Sequence, residues 1–164
     1  MQLKETFTYP AGVEAVFALM SDDAFRTKAA EDAKGRDVST TVEKDGDDTV
    51  VTLVRTQPAT SSKVPDFVKK LIGDTVTIKQ VERWKAPDAG GTRKATITMK
   101  VAGKPAGFKG TATLKADGKG AVFVLAGDVN VDVPFVGRKV EPLIAKAVEA
   151  SLRHDVKAGV SRLT

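Results

Sequence analysis

Few side chains here are arranged so that they could do chemistry. The first segment, Gln2 to Tyr9, alternates so that Leu3, Glu5, Phe7 and Tyr9 share one face. A carboxylate and a phenol turned together toward an interior could act as a general acid–base pair, because burial raises a carboxyl pKa. The only imidazole, His154, is followed by Asp155. Adjacent residues on a helix diverge, so neither can orient the other. There is no cysteine, which excludes disulfides, thiolate nucleophiles and iron–sulfur clusters. Asp128-Val-Asn130-Val-Asp132 has the spacing of a calcium loop's opening. Val133 stands where that loop needs glycine, however, and Lys139 where it needs a bidentate glutamate. With no phosphate loop, dinucleotide fingerprint or hydrolase elbow either, the expectation is no metal, no cofactor and no catalytic residue of a known motif.

The elements that would position these groups follow from patterning. The 164 residues suit one domain spanning 1–164, and 41% hydrophobic with 29% charged residues is ordinary globular composition. The N-terminus lacks the apolar block of a signal peptide, and the longest apolar run, Ala121 to Gly127, is too short for a bilayer. A cytoplasmic protein with no integral membrane segment is expected. The net charge is +5, yet residues 60–120 alone carry 13 basic against 5 acidic side chains. Much of that excess sits in twin strands, Lys94-Ala-Thr96-Ile-Thr98-Met-Lys100 and Lys109-Gly-Thr111-Ala-Thr113-Leu-Lys115. Their Lys and Thr share one face, with no aromatic between them to stack a base, so they read as a solvated sheet face and no nucleic-acid partner is expected.

Tyr9-Pro10 ends the first strand. Val13, Val16, Phe17 and Met20 mark a short helix, and Ser21 or Asp22 caps a second one running to about Asp32. Strands at about Asp37–Lys44 and Thr49–Gln57 meet at Asp45-Gly46-Asp47. A break over Pro58 to Ser62 leads to a short amphipathic helix from Pro65 to Gly73. Four strands follow, Thr75–Lys85, Arg93–Val101, Lys109–Ala116 and Ala121–Val131, then a helix from about Val136 to Arg162. Pro142 lies within it, so the helix either starts near Glu141 or is kinked there. The fold class is therefore α+β, a twisted antiparallel sheet of six or seven strands burying one face against the long final helix.

This layout resembles the START-like superfamily, the helix-grip fold of polyketide cyclases, lipid-transfer domains and birch-pollen-allergen-like proteins. The residues carrying the likeness are the opening strand running into Tyr9-Pro10-Ala11-Gly12-Val13, the helix pair, the strand meander and the closing helix. Val64-Pro65-Asp66-Phe67 and Val133-Pro134-Phe135-Val136-Gly137 resemble an uncharacterised actinobacterial family within it. The resemblance implies a hydrophobic cavity between sheet and helix. The small inward residues Ala95, Gly110, Ala112, Gly127 and Ala147, and the scarcity of aromatics, agree with it.

Expected lining residues are Trp84, Ile97, Met99, Leu114, Phe123 and Leu125 on strands and Val140, Ile144 and Ala147 on the helix. Phe67, Leu71 and Ile72 sit on the small helix that, by resemblance, covers the mouth. Glu5 and Tyr9 are the polar candidates. Three functions stay open: carriage of a small hydrophobic molecule or lipid without catalysis, a cyclase- or hydrolase-like enzyme using Glu5 and Tyr9, or a protein-interaction module. The last predicts a broad exposed apolar patch and no cavity. The oligomeric state is not readable from these residues.

Overall fold

The structure, a computed structural model, describes residues 1–59 and 64–164; of the break expected over Pro58 to Ser62, Pro58 is the last residue of a strand and residues 60–62 lie outside the described residues. Strand β1 (Gln2–Tyr9) leads into helices α1 (Val13–Met20) and α2 (Asp23–Asp32). Strands β2 (Arg36–Asp45) and β3 (Asp48–Pro58) form a hairpin, followed by the short helix α3 (Asp66–Ile72). The meander β4 (Thr75–Trp84), β5 (Arg93–Val101), β6 (Ala106–Asp117) and β7 (Gly120–Val131) precedes helix α4 (Gly137–Leu163). All strand pairs are antiparallel in one seven-stranded sheet of order β1-β7-β6-β5-β4-β3-β2. Consecutive strands β1 and β2 thus occupy opposite edges, and α1 and α2 bridge them.

Alternation sorts the faces as the pattern demands. On β3, Thr49, Val51, Leu53 and Arg55 are buried while the residues between them are half-exposed. On β5 and β6, Lys94, Thr96, Lys109 and Thr111 point outward, and Thr96 pairs with Thr111 across the ladder. Asp128 and Asn130 are exposed on β7. Asp22 is the residue that caps α2, accepting from the Phe25 amide at 3.0 Å. Helix α4 starts at Gly137 and continues through Pro142. The hydrogen bond that proline cannot donate is lost beside exposed Arg138 and Lys139, where solvent can compensate.

The core lies between the sheet's inner face and α4. Trp84, Leu114 and Leu125 are its largest fully buried side chains. Phe17 meets Trp84 edge-on at 5.7 Å, and the Arg93 guanidinium caps the Phe17 ring at 3.7 Å while holding Glu14 with two 2.7 Å bonds, so α1 is fixed to the sheet. Helix α4 packs chiefly on β7 and β1, with α1 and α2 against its flank. Gly159 allows this approach, since a Cβ there would stand 3.1 Å from Cε1 of Tyr9. A helix seated toward one edge must stand away from the sheet's middle strands, and that offset makes room for a cavity.

Candidate functional site

A cavity of about 540 Å³ occupies that space, within the size range of small-molecule sites. Its walls come from β3 to β7, α3 and the first half of α4. Val76, Ile78, Met99, Val101 and Phe108 supply the sheet side. Val68, Leu71 and Ile72 line it from α3, and Val140, Leu143, Ile144, Ala147 and Val148 from α4. Helix α3 is tied down by Val68, which packs with Val131 and Val140 and is almost fully buried. Helix α4 shows two inner aspects. Ala145, Val148 and Val156 sink into the core, while Ile144, Ala147 and Ser151 border the cavity, and Ala147 is exposed toward it.

A second, much smaller space lies among Tyr9, Met20, Arg26, Gln80, Glu82, Trp84, Phe123, Leu125 and Asp155, with Met99 bordering both. Here the interior turns polar. Arg26 on α2 and Glu82 on β4 form a buried bidentate ion pair at 2.6 and 3.2 Å, and Arg26 also donates to the Met20 carbonyl at 2.9 Å. Glu82 accepts further bonds from Gln80 Nε2 at 2.7 Å and Trp84 Nε1 at 2.9 Å. Burial alone would raise the Glu82 pKa, but the Arg26 charge and these donors outweigh it and hold the carboxyl below the usual range. For Arg26, burial works against the charge and Glu82 more than compensates, leaving the guanidinium firmly protonated.

Nearby, Arg55 on β3 is buried with neutral partners, donating from Nε to Gln57 Oε1 at 3.2 Å and from Nη2 to Ser151 Oγ at 3.1 Å. Burial lowers its pKa, with the Asp155 charge opposing and the Arg26 charge adding to the shift. Asp155 is half-exposed by surface area, yet it is embedded enough that desolvation raises its pKa against the pull of Arg26 and Arg55. Tyr9 is pushed well above its ordinary value, first by burial, then by the Asp155 charge, with Arg26 opposing. A pKa raised on folding favours the folded state below the ordinary tyrosine value of about 10 and withdraws that contribution as pH climbs beyond it. Tyr9 is the only tyrosine, so ultraviolet difference spectroscopy reads it alone. We expect no phenolate absorbance at pH 10 in the folded protein and a half-ionised signal at that pH in denaturant. Ordinary titration of the native protein would contradict this placement.

The residues singled out from sequence divide between these spaces. Leu71, Val140, Ile144 and Ala147 line the large cavity, and Met99 touches both. Trp84, Ile97, Phe123, Leu125 and Tyr9 surround the small one. Leu114 is fully buried in the core and borders neither. Phe67 points away from the cavity and is 40% exposed, because its neighbour Val68 takes the inward position. Glu5 is half-buried on the inner face, pairing across β7 with Leu125, and borders neither space. Four residues along a strand separate it from Tyr9 by about 13 Å, so the two are not brought together. His154 sits half-buried, its Nε2 3.1 Å from the Ala29 carbonyl.

Sequence reasoning missed Arg26, Arg55, Gln80, Glu82 and Asp155. The signal was present on two strands: Gln80 and Glu82 are in phase with Trp84, and Arg55 with Val51 and Leu53. Among the described residues, no group of three or more His, Cys, Asp and Glu is placed to hold a metal ion. No helix of the described residues is long and apolar enough to cross a membrane.

A long helix held against one antiparallel sheet, with two short helices after the first strand, is the helix-grip fold. The chain belongs to the family described as protein of unknown function DUF2505, whose profile matches residues 4–163. No curated protein matches the chain by sequence. Among solved structures, it is similar to a protein of Thermus thermophilus, with 16% identity and a TM-score of 0.61 over 100% of both chains. The Zhui aromatase/cyclase of Streptomyces sp. R1128 is 13% identical with a TM-score of 0.59, over 99% of this chain and 92% of that one. A norcoclaurine synthase of Thalictrum flavum is 14% identical with a TM-score of 0.55, over 100% of this chain and 96% of that one. At such identities the likeness establishes the fold and leaves activity to the site itself.

Proposed function

We propose that this chain binds and carries a small hydrophobic molecule or lipid in the cavity between sheet and α4, without catalysis. The observation that carries this reading is the cavity of about 540 Å³ with mainly aliphatic walls. Filling it would remove apolar surface from water at roughly 25 cal/mol per Å². An interaction module calls for a broad apolar patch and no internal cavity, so the cavity counts against that reading. Helix α3, seven residues long and ending at Gly73 with φ +86°, walls the cavity with Val68, Leu71 and Ile72. We place this protein in the cytoplasm.

One observation favours an enzyme instead: Tyr9, Arg26, Glu82 and Asp155 converge around the smaller space. Four donated bonds already occupy Glu82, however, which suits a structural anchor better than a general base.

Native mass spectrometry of freshly purified protein, followed by organic extraction, tests the carrier reading. We expect a co-purifying apolar molecule, or uptake of a neutral naphthylamine dye by the stripped protein. Ala147→Trp should weaken dye binding at least about tenfold, because Ala147 borders the cavity and the indole would project into it. If stripped protein takes up neither the dye nor any apolar compound, the reading fails.

A further inference from the structure

We propose that the cavity is built for an apolar molecule ending in a carboxylate, with Arg55 as the group that receives it. This rests on the reading of the cavity as a ligand chamber and names the chemical class of that ligand. The argument starts from the position of the guanidinium. Arg55 is 5% exposed and borders the large cavity, in a wall that is otherwise mainly aliphatic. A buried cation is costly unless an anion or a full set of acceptors meets it. Its two hydrogen bonds among the described residues go to neutral oxygens, Gln57 Oε1 and Ser151 Oγ. No carboxylate of the described residues lies within 4 Å of it. Arginine carries five N–H donors, so three remain, two of them on Nη1.

Those donors have somewhere to point. No fully enclosed side-chain nitrogen or oxygen among the described residues lacks a partner. Nη1 has no described partner on a side chain that is nearly all buried, so it must touch open volume. A ligand-sized volume that Arg55 borders is the large cavity. The other guanidinium of the interior, Arg26, differs in this respect: Glu82 takes it in a fork-to-fork pair. The Arg55 fork is only partly claimed: Nη2 donates once, to Ser151, and Nη1 donates to none of the described residues, in the wall of a ligand-sized space. Asp155, a carboxylate bordering the smaller space, makes no ion pair with either arginine among the described residues. The interior thus keeps one positive charge that nothing within the described residues balances at contact distance. A carboxylate on an apolar chain would meet that fork with two charge-assisted bonds while its hydrocarbon lies along Ile78, Met99, Phe108 and Ile144.

The test compares decanoate with decanol, which share a chain and differ in the head group. Both are titrated at pH 7 against the neutral naphthylamine dye held by the stripped wild-type protein. We expect decanoate to displace the dye at least about tenfold more effectively than decanol. In Arg55→Gln the two should fall within about twofold of each other. Ser151→Asp is an independent variant that sets a resident carboxylate beside the guanidinium, and it should abolish the preference in the same way. Circular dichroism identifies which variants keep the fold, and the wild-type comparison needs neither. Equal binding of the two ligands by wild type overturns the assignment, as does a preference that survives in a folded variant. If the dye and decanol bind but no preference exists, the head-group assignment fails alone. If nothing binds, it fails together with the carrier reading.

Discussion

Glu82→Ala is expected to lower the free energy of unfolding by about 3–5 kcal/mol, measured by urea denaturation with linear extrapolation. The substitution leaves Arg26 charged and buried, and it strands the donors of Gln80 and Trp84 as well. Arg26 is also the side chain by which α2 reaches the inner face of β4, so its anchor point is lost with the carboxylate. Replacing both partners, as Arg26→Met with Glu82→Met, should recover most of the loss, because no uncompensated charge remains. A double variant as unstable as the single one would mean that the pair itself, rather than the stranded cation, supplies the stability.

The pH dependence has a defined sign. Because the folded pKa of Glu82 lies below its ordinary value, its contribution is present above about pH 4.3 and is lost as the pH falls through the folded pKa. The gap between wild type and Glu82→Gln should therefore narrow only in acid.

Phe108→Ala should cost about 3 kcal/mol and enlarge the cavity at the same time. Phe108 is 3% exposed and borders the chamber, while its ring extends over Gly110 and Gly127, which face each other across β6 and β7. A Cβ on either glycine would come 2.8 Å from the Phe108 Cζ and would also collide with neighbouring backbone. The glycines are thus the floor on which the ring lies. Removing the ring exposes that floor to the chamber without letting it collapse, since the strands are hydrogen-bonded on both sides. We expect the variant to take a bulkier neutral dye that wild type excludes, alongside the lower urea midpoint. A loss of stability with no change in ligand size range would place the ring in the core rather than in the wall.

The strands and helices were largely legible from periodicity, because each buries one face and the pattern repeats over enough residues to be read. Depth along an inner face was not. Leu114 and Ile97 are equally inward by alternation, yet only Ile97 borders a space, since which inner residues meet α4 depends on where the helix sits across the sheet. Phe67 shows another limit. A seven-residue helix has too few turns to fix its phase, and Val68 took the buried side. The polar interior was overlooked because Gln80, Glu82 and Arg55 are residue types usually found at surfaces. The partners that bring charge or close the network from other elements lie far off in sequence, with Arg26 at 56 residues from Glu82 and Ser151 at 96 from Arg55. Alternation placed them inside, and only the assembled helix pair shows what satisfies them.

The edge position of β1 has a consequence for how the chain is made. Its register runs from Gln2 opposite Asp128 to Tyr9 opposite Ala121, so the strand made before the other six is the last of them to find its neighbour. Strands β2 to β6 can assemble in order, each on the one before it, while Gln2–Tyr9 waits with Leu3, Phe7 and Tyr9 unburied. Such a high-contact-order closure is slow compared with hairpin formation, and it leaves an apolar strand open to chance encounters throughout synthesis. The alternating Lys4, Thr6 and Thr8 on its other face keep that waiting strand soluble on at least one side.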